Sequence, residues 1–172
     1  MNICKATSHP EAAPAPATAV QALQQQLTGQ LGQEIHLGDW YRVDQNCIER
    51  FAHVTGDNQW IHVDVERARR ESPFRGTVAQ GFLILSLLPT LRALDKESAC
   101  SYPDARLVVN CGLNEVSFLH PVKADSQIRT RTRLLELVAN KRSLDIIEEN
   151  RVEIQGSEKC ACIAQTRVRV YL

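Results

Sequence analysis

An acid and a base lie close together in the segment FAHVTGDNQWIHVD, residues 51–64. Asp57 supplies a carboxylate, and His62 supplies an imidazole five residues later. Thr55 and Gly56 end a helical pattern just before Asp57, so a loop can turn both side chains into one cleft. These two groups are common proton donors and acceptors in enzymes. The pair therefore indicates acid–base chemistry.

A helix start follows in the segment AQGFLILSLL, residues 79–88. Gly81 is placed where the first N–H groups of an apolar helix have no partner within the helix. Such N–H groups can receive negative charge that develops on a carbonyl oxygen. Taken alone, Asp57 and His62 are better explained as a turn cap and a buried structural histidine. The helix start beside them favours the catalytic interpretation.

Composition narrows the class of protein. The 172 residues suit one domain, and 20 basic and 20 acidic residues lack the basic excess of nucleic-acid-binding proteins. The longest apolar run, residues 82–88, is too short to span a membrane, and the first residues show no secretory signal. The six Cys show no CxxC pair, and neither they nor the His have metal-ligand spacing. We expect a cytoplasmic protein with reduced thiols, no metal site, no nucleic-acid partner and no membrane partner.

The elements that position these residues follow from periodicity and capping. Residues 1–18, rich in Ala and Pro, predict a disordered tail, and residues 19–172 predict one domain. Apolar residues at helical spacing predict a first helix ended by Gly32. We expect a strand over 38–43, a helix over 45–55, an irregular segment over 57–63, a short helix over 65–71 and a buried apolar helix over 81–94. The apolar stripe of the first helix is Val20, Leu23, Leu27 and Leu31.

The last third of the chain predicts four strands, over 107–119, 127–138, 143–155 and 159–172. Alternating arginines indicate an antiparallel sheet with one wet face, joined by consecutive hairpins. One helix against such a sheet is an α+β arrangement. In the third strand, if Val152 and Ile154 face inward, so do Glu148 and Asn150. Either a bulge changes the register, or these polar residues lie at a pocket or an interface.

The chain resembles the MaoC-like hydratase family, in particular the (R)-specific enoyl-CoA hydratases. The resemblance covers residues 23–172, and residues 110–114 are similar to the nodulation-protein-N branch. It rests on the helix over 48–55, TGDNQWIHVD at 55–64, Pro73-Phe74 with Gly76, QGFLILSL at 80–87 and VVNCGLNEVSFLHPVKADSQIR at 108–129.

The resemblance implies a hotdog fold, a curled antiparallel sheet wrapped around a central helix, and a homodimer with its active sites near the interface. It implies that Asp57 and His62 are the catalytic pair and that Gly81 forms the oxyanion hole. The implied reaction is syn addition of water to a trans-2-enoyl-CoA, giving (R)-3-hydroxyacyl-CoA, or the reverse dehydration. No cofactor is expected, because coenzyme A is part of the substrate. Polyhydroxyalkanoate precursor supply, fatty-acid oxidation and acyl-signal synthesis stay open as pathways.

One residue departs from the family pattern. The family usually has His before the oxyanion-hole glycine, where this chain has Gln80. A neutral amide can orient the loop through its N–H₂ and C=O groups. Gln80 also supports an alternative, a non-catalytic acyl-thioester-binding accessory protein, and an acyl-CoA thioesterase is a further alternative.

Weaker candidates for substrate contact surround the motif. Gln59 and Gln80 are candidates from position, and Ser86 from its place in the central helix. Arg75, with the neighbouring Arg67, Arg69 and Arg70, is a candidate because coenzyme A carries phosphates. Each candidate also has a structural explanation. Gln59 can be an exposed loop residue, the Ser86 hydroxyl can bond a carbonyl of its own helix, and the arginines can form a solvated helix face. For Asn110 and Asn114 we expect a structural role.

Overall fold

A six-stranded antiparallel sheet curls around one helical segment. The structure is a computed structural model that describes residues 18–94, 102 and 104–172. The sheet order is β1-β4-β5-β6-β3, and β2 also pairs with β4. The strands are β1 (Glu34–Leu37), β2 (Tyr41–Val43), β3 (Leu107–Phe118), β4 (Ser126–Ala139), β5 (Ser143–Ile154) and β6 (Cys160–Tyr171).

The four strands predicted for the last third are confirmed, but one of their connections is not. β4, β5 and β6 pair as consecutive hairpins, whereas β3 pairs with β6 instead of β4. The connection after β3 hydrogen-bonds to the segment before the central helix: Ala79 N–H donates to Val122, and Ala124 N–H donates to Thr77. Because β5 and β6 lie between β3 and β4 in the sheet, this connection is a crossover and not a tight turn. β3 is left as one edge of the sheet.

The helices are α1 (Ala19–Thr28), α2 (Gln45–Thr55), α3 (Trp60–Val63), α4 (Val65–Glu71), α5 (Gly81–Ser86) and α6 (Leu88–Leu91). The predicted caps are confirmed: Asp44 accepts from the N–H of Cys47, and Asp64 accepts from the N–H of Arg67. Gly56 ends α2 with a φ of 77°, a conformation that favours glycine. The irregular segment expected over 57–63 is wrong over 60–63, where α3 forms.

Two expectations near the N-terminus are partly wrong. α1 ends at Thr28 with Gly29 as its cap, not at Gly32, so Leu31 lies beyond the helix and is 41% exposed. The strand predicted over 38–43 is confirmed only for β2, and β1 was not predicted. Gly38 lies between them against the Leu91 carbonyl, where a Cβ atom would not fit. The predicted tail lies outside the described residues except for Thr18, which caps α1.

The apolar helix predicted over 81–94 forms as two pieces, α5 and α6, which meet at Leu87. Pro89 lies in α6 and has no N–H to donate, which explains the division. Leu83, Ile84 and Leu88 are buried against the sheet, as expected. Burial all round the helix is wrong, because the Phe82 side chain is 68% exposed.

The concave face of the sheet packs against the core, and the convex face carries charged side chains. Arg129 and Arg131 both bond Glu153 on the outside, at 2.8 and 2.9 Å. Along β5, the pairing runs without a shift from Glu148 to Val152 against both neighbouring strands. Glu148 and Asn150 therefore face inward without a bulge, and both line a cavity. Of the two interpretations of this strand, the pocket is correct.

Candidate active site

The structure brings the predicted acid and base together. Gly56 turns the chain out of α2, Asp57 follows at a half-buried position, and α3 places His62 opposite it. The His62 ring is buried, and its Nε2 lies 3.8 Å from Oδ2 of Asp57. That distance is longer than a direct hydrogen bond. Both atoms can therefore bond one shared oxygen atom placed between them.

The tautomer of His62 follows from its other nitrogen. Nδ1 lies 2.6 Å from the carbonyl oxygen of Val78, which can only accept a hydrogen bond. Nδ1 of the neutral ring therefore carries the proton, and Nε2 presents its lone pair towards Asp57. The N–H of Val78 donates to the carbonyl oxygen of Ile61, so Val78 bonds α3 through both its N–H and its carbonyl group.

Gln59 contacts Asp57 directly. Its side-chain amide donates to Oδ1 of Asp57 at 3.3 Å, which leaves Oδ2 facing His62. Gln59 is exposed, and the contact orients the carboxylate. The sequence predicted a substrate contact for Gln59, whereas the structure shows its side chain bonded to Asp57.

Gly81 begins α5 at a crowded point. A Cβ atom at this position would lie 3.0 Å from the ring of Phe118, the last residue of β3. Phe118 also packs edge-on against Phe82, with ring centroids 5.7 Å apart. The first N–H groups of α5, which have no partner within the helix, therefore lie next to the exposed rings of Phe82 and Phe118.

Gln80 points into the protein. It is 2% exposed, and its side-chain amide donates to the carbonyl oxygen of Ile48 in α2 at 3.4 Å. The side-chain oxygen Oε1 of Gln80 has no hydrogen-bond partner among the described residues. Gln80 thus links the start of α5 to α2, and it is a positioning residue in this geometry.

The remaining candidates lie outside the immediate site. The Ser86 hydroxyl donates to the carbonyl oxygen of Phe82 at 2.7 Å, within its own helix. The Arg67 guanidinium stacks on the Trp60 ring at 4.4 Å and donates to the Glu71 carboxylate at 2.8 Å, so its charge is paired. Arg75 is exposed at a positive φ of 56°, and it makes no ion pair within the described part of the chain. The other two basic candidates, Arg69 and Arg70, are exposed and lie 3.5 and 3.9 Å from Glu66 and Glu71.

A cavity of about 280 Å³ was anticipated from the sequence only as one interpretation of the polar residues on β5, and the rest of its lining was not predicted. It lies between the central helix and the strands β3, β5 and β6. Leu85, one helical turn beyond Gly81, is the first helix residue of its lining, and Gly81 itself lines a separate pocket with Ala79 and Phe118. Its lining is Leu85, Leu88, Pro89, Arg92, Leu94, Asn110, Gly112, Leu113, Glu148, Asn150, Thr166 and Val168. The polar residues facing inward on β5 were the one hint of it in the sequence. Asn110 is exposed at its mouth, whereas Asn114 is exposed outside it.

A buried ion pair closes the far end of this cavity. The Arg92 guanidinium bonds the Glu148 carboxylate, and the Tyr102 hydroxyl donates to the same carboxylate. Burial alone would lower the pKa of Arg92, but Glu148 and Tyr102 raise it on balance. Burial and the Glu148 charge raise the pKa of Tyr102 well above its usual value, against the opposing effect of Arg92. Tyr102 therefore stays protonated and acts as a donor.

Two kinds of feature are absent from the part of the chain that the structure describes. No three His, Cys, Asp or Glu side chains there come together in a way that could hold a metal ion. None of the helices there is both long enough and apolar enough to cross a membrane. Cys47, Cys111, Cys160 and Cys162 are free thiols.

Comparison with known proteins decides the family. The family model described as "MaoC like domain" matches residues 26–155, which include Asp57, His62 and Gly81. The chain belongs to the MaoC-like dehydratase family. Dehydratases are hydro-lyases, and this MaoC-like chain is an enzyme of that class.

Two relatives resemble this MaoC-like chain over most of its length. It is 37% identical over 145 residues to 3-hydroxyacyl-thioester dehydratase Z of Mycobacterium tuberculosis, which covers 83% of this chain and 92% of the relative. It is 40% identical over 139 residues to nodulation protein N of Rhizobium leguminosarum bv. viciae, covering 80% and 84%. The predicted resemblance to the MaoC-like family and to its nodulation-protein-N branch is confirmed.

Solved structures confirm the fold. The R-hydratase of Pseudomonas aeruginosa in its unliganded form superposes with a TM-score of 0.65 at 20% identity, over 82% of this chain and 81% of that one. At this identity the likeness shows the hotdog fold alone, and it agrees with the curled sheet around α5 and α6.

Proposed function

We propose that this protein is an (R)-specific enoyl-CoA hydratase, which adds water to a trans-2-enoyl-CoA to give (R)-3-hydroxyacyl-CoA, and which also catalyses the reverse dehydration. The observation that carries the proposal is the pair of acceptors 3.8 Å apart, Oδ2 of Asp57 and Nε2 of His62. The hydrogen bond of Nδ1 to Val78 leaves Nε2 able to accept a proton from water.

The reaction follows from that geometry. A water molecule between Asp57 and His62 donates one hydrogen bond to each acceptor. As the water oxygen bonds to the β-carbon, one of its protons passes to the pair, and a proton from the pair reaches the α-carbon. Both additions come from the side of the substrate that faces the pair, which makes the addition syn. In the reverse direction the same two groups remove the α-proton and protonate the leaving hydroxyl.

Negative charge grows on the thioester oxygen as the β-carbon is attacked. The N–H of Gly81, at the start of α5, is the donor we assign to that oxygen. Loss of one such donor costs on the order of 3 kcal/mol in comparable enzymes. The cavity that begins one turn further along the helix is the site we assign to the acyl chain.

A homodimer belongs to the same proposal. β3 is an edge of the sheet, and it exposes four large apolar residues, Leu107, Val109, Leu113 and Phe118. An edge of this kind is suited to pairing with a second copy. The free thiols agree with a reducing compartment, and we place the protein in the cytoplasm.

The test is the loss of enoyl absorbance when pure protein is added to crotonyl-CoA and to longer straight-chain enoyl-CoA thioesters. We expect turnover by the wild type, and a fall of roughly 10²- to 10⁴-fold in kcat for Asp57→Asn and for His62→Asn. If the wild type is no faster than Asp57→Asn at every chain length, the proposal is wrong.

Matched variants control for a general effect of the substitutions. Asp39→Asn and His53→Asn make the same chemical changes at exposed positions outside the site, and we expect them to keep the wild-type rate. Release of free thiol, followed with an aromatic disulfide reagent, separates hydration from thioester hydrolysis. Acyl-CoA binding without turnover would identify an accessory protein instead.

A further inference from the structure

The cavity beside the central helix has two kinds of wall. Leu85 and Leu88 form the helix side, and Leu113 and Val168 continue the apolar surface on the sheet. Such walls suit a hydrocarbon chain. The sheet side also carries polar lining, because Asn150 and Thr166 reach the cavity from adjacent strands at nearly full burial, next to Leu113 and Val168.

A directed chain of hydrogen bonds runs along the polar wall. Thr132 donates its hydroxyl hydrogen to Oδ1 of Asn150 at 2.8 Å, and Nδ2 of Asn150 donates to the Thr166 hydroxyl oxygen at 2.8 Å. A hydroxyl group has one hydrogen and can both donate and accept. Thr166 thus receives a hydrogen bond, while its own hydrogen finds no acceptor among the residues that the structure describes.

The neighbouring carboxylate of Glu148 does not accept a hydrogen bond from Thr166. Glu148 also lines the cavity, but its oxygens accept from Arg92 and Tyr102. The Thr166 hydroxyl hydrogen is therefore a donor of this wall that a ligand can still satisfy, beside the second hydrogen on Nδ2 of Asn150. A plain hydrocarbon chain against it would leave a buried donor without a partner, which is unfavourable.

We propose that the cavity selects an acyl chain that carries an uncharged oxygen acceptor, an ether or carbonyl oxygen, which accepts a hydrogen bond from Thr166. This inference rests on the proposed function, because the acyl chain enters the cavity from a thioester held at Gly81. The acceptor lies beyond the reacting carbons, since the cavity begins one turn further along the helix. An uncharged acceptor fits because the nearby charges of Arg92 and Glu148 are already paired.

The test compares matched substrates. Straight-chain enoyl-CoA thioesters are paired with analogues in which one methylene beyond the reacting carbons is replaced by an ether oxygen, moved one position at a time. The measured quantity is the ratio of kcat/KM for the oxygen analogue to that for the hydrocarbon. At one or more positions we expect this ratio to be about tenfold higher in the wild type than in Thr166→Val, which removes the hydroxyl at similar volume.

The comparison between the two proteins cancels the intrinsic effect of the oxygen on reactivity. Thr130→Val is the matched control, because Thr130 is buried on the same face of the sheet, does not line the cavity, and has no hydrogen-bond partner for its hydroxyl among the described residues. We expect it to keep both the rate and the ratio of the wild type. Thermal unfolding of each variant checks that it is folded.

The outcomes separate this inference from the proposed function. If straight-chain substrates are turned over and the ratio is the same in wild type and Thr166→Val at every position, the inference is wrong and the function stands. If no enoyl-CoA is turned over, the function is wrong, and calorimetry with the saturated acyl-CoA pairs decides about the cavity. Tighter binding of an oxygen analogue to the wild type than to Thr166→Val supports the inference, and equal binding overturns it.

Discussion

At the scale of single residues, Gly81 matters for two separate reasons, one proposed and one structural. Its N–H is the donor assigned to the thioester oxygen, and its missing side chain leaves room for Phe118. The second reason does not follow from the sequence, because Phe118 lies far along the chain on β3. A methyl group at Gly81 would keep the N–H but would force the Phe118 ring or the start of α5 to move.

We therefore expect Gly81→Ala to lower kcat by roughly tenfold or more, because a small displacement of a catalytic group is costly. Phe118→Leu in the same protein should recover part of the loss, since it removes the ring that the new methyl group meets. Enoyl-CoA kinetics on the single and double variants measure this coupling. Gly29→Ala is the control, because nothing lies within 4 Å of its Cβ position. A wild-type rate in Gly81→Ala would show that the contact is unimportant.

The order of residues along the chain predicted that Asp57 and His62 lie close together, but it did not predict their neighbours. Asp57 and His62 are held by local features, the turn at Gly56 and the short helix α3, so their closeness could be anticipated. The direction of Gln80 depends on α2 packing across the start of α5, a tertiary contact that spacing does not encode. The hydrogen-bonded chain through Asn150 likewise needs three strands in register.

At the scale of elements, a buried ion pair joins the end of α6 to the middle of β5. Arg92 and Glu148 both have side chains that are 1% exposed, and Tyr102 adds a donor from a separate segment. Glu148 is where the alternation of β5 looked irregular in the sequence. Its partner, Arg92, lies just after α6 and far from Glu148 in the sequence. The sequence therefore showed that Glu148 is unusual, but it could not show that Arg92 is its partner.

Glu148→Gln should destabilise the protein strongly. The change keeps the shape of the side chain but removes the negative charge opposite the buried guanidinium of Arg92, and breaking a buried pair in this way costs about 3–5 kcal/mol. Unfolding in urea measures the free energy of unfolding. Glu66→Gln is the matched control at the exposed pair with Arg69, where we expect a change below about 1 kcal/mol. Equal effects of the two substitutions would contradict the prediction.

At the scale of the whole molecule, the two edges of the sheet differ. β3 presents twelve residues, among them the exposed Leu107 and Val109, whereas β1 presents four residues, with Leu37 as its exposed large apolar side chain. An ion pair between Glu34 of β1 and Arg131, at 2.6 Å, adds charge at that edge. Charged, short edges resist pairing, and long apolar edges favour it. The homodimer proposed above should therefore form through β3.

Lysines placed on β3 test this directly. Leu107→Lys with Val109→Lys puts two charges on the proposed interface, and we expect the mass in solution, measured by light scattering, to fall from that of a dimer to that of a monomer. Leu37→Lys with Val138→Lys adds the same charge at exposed apolar positions elsewhere on the sheet, and we expect the dimer to persist. Dissociation by the second pair alone would move the interface away from β3, and a monomeric wild type would exclude the dimer. None of the four positions lines the cavity, so the oligomeric state is read without disturbing the acyl site.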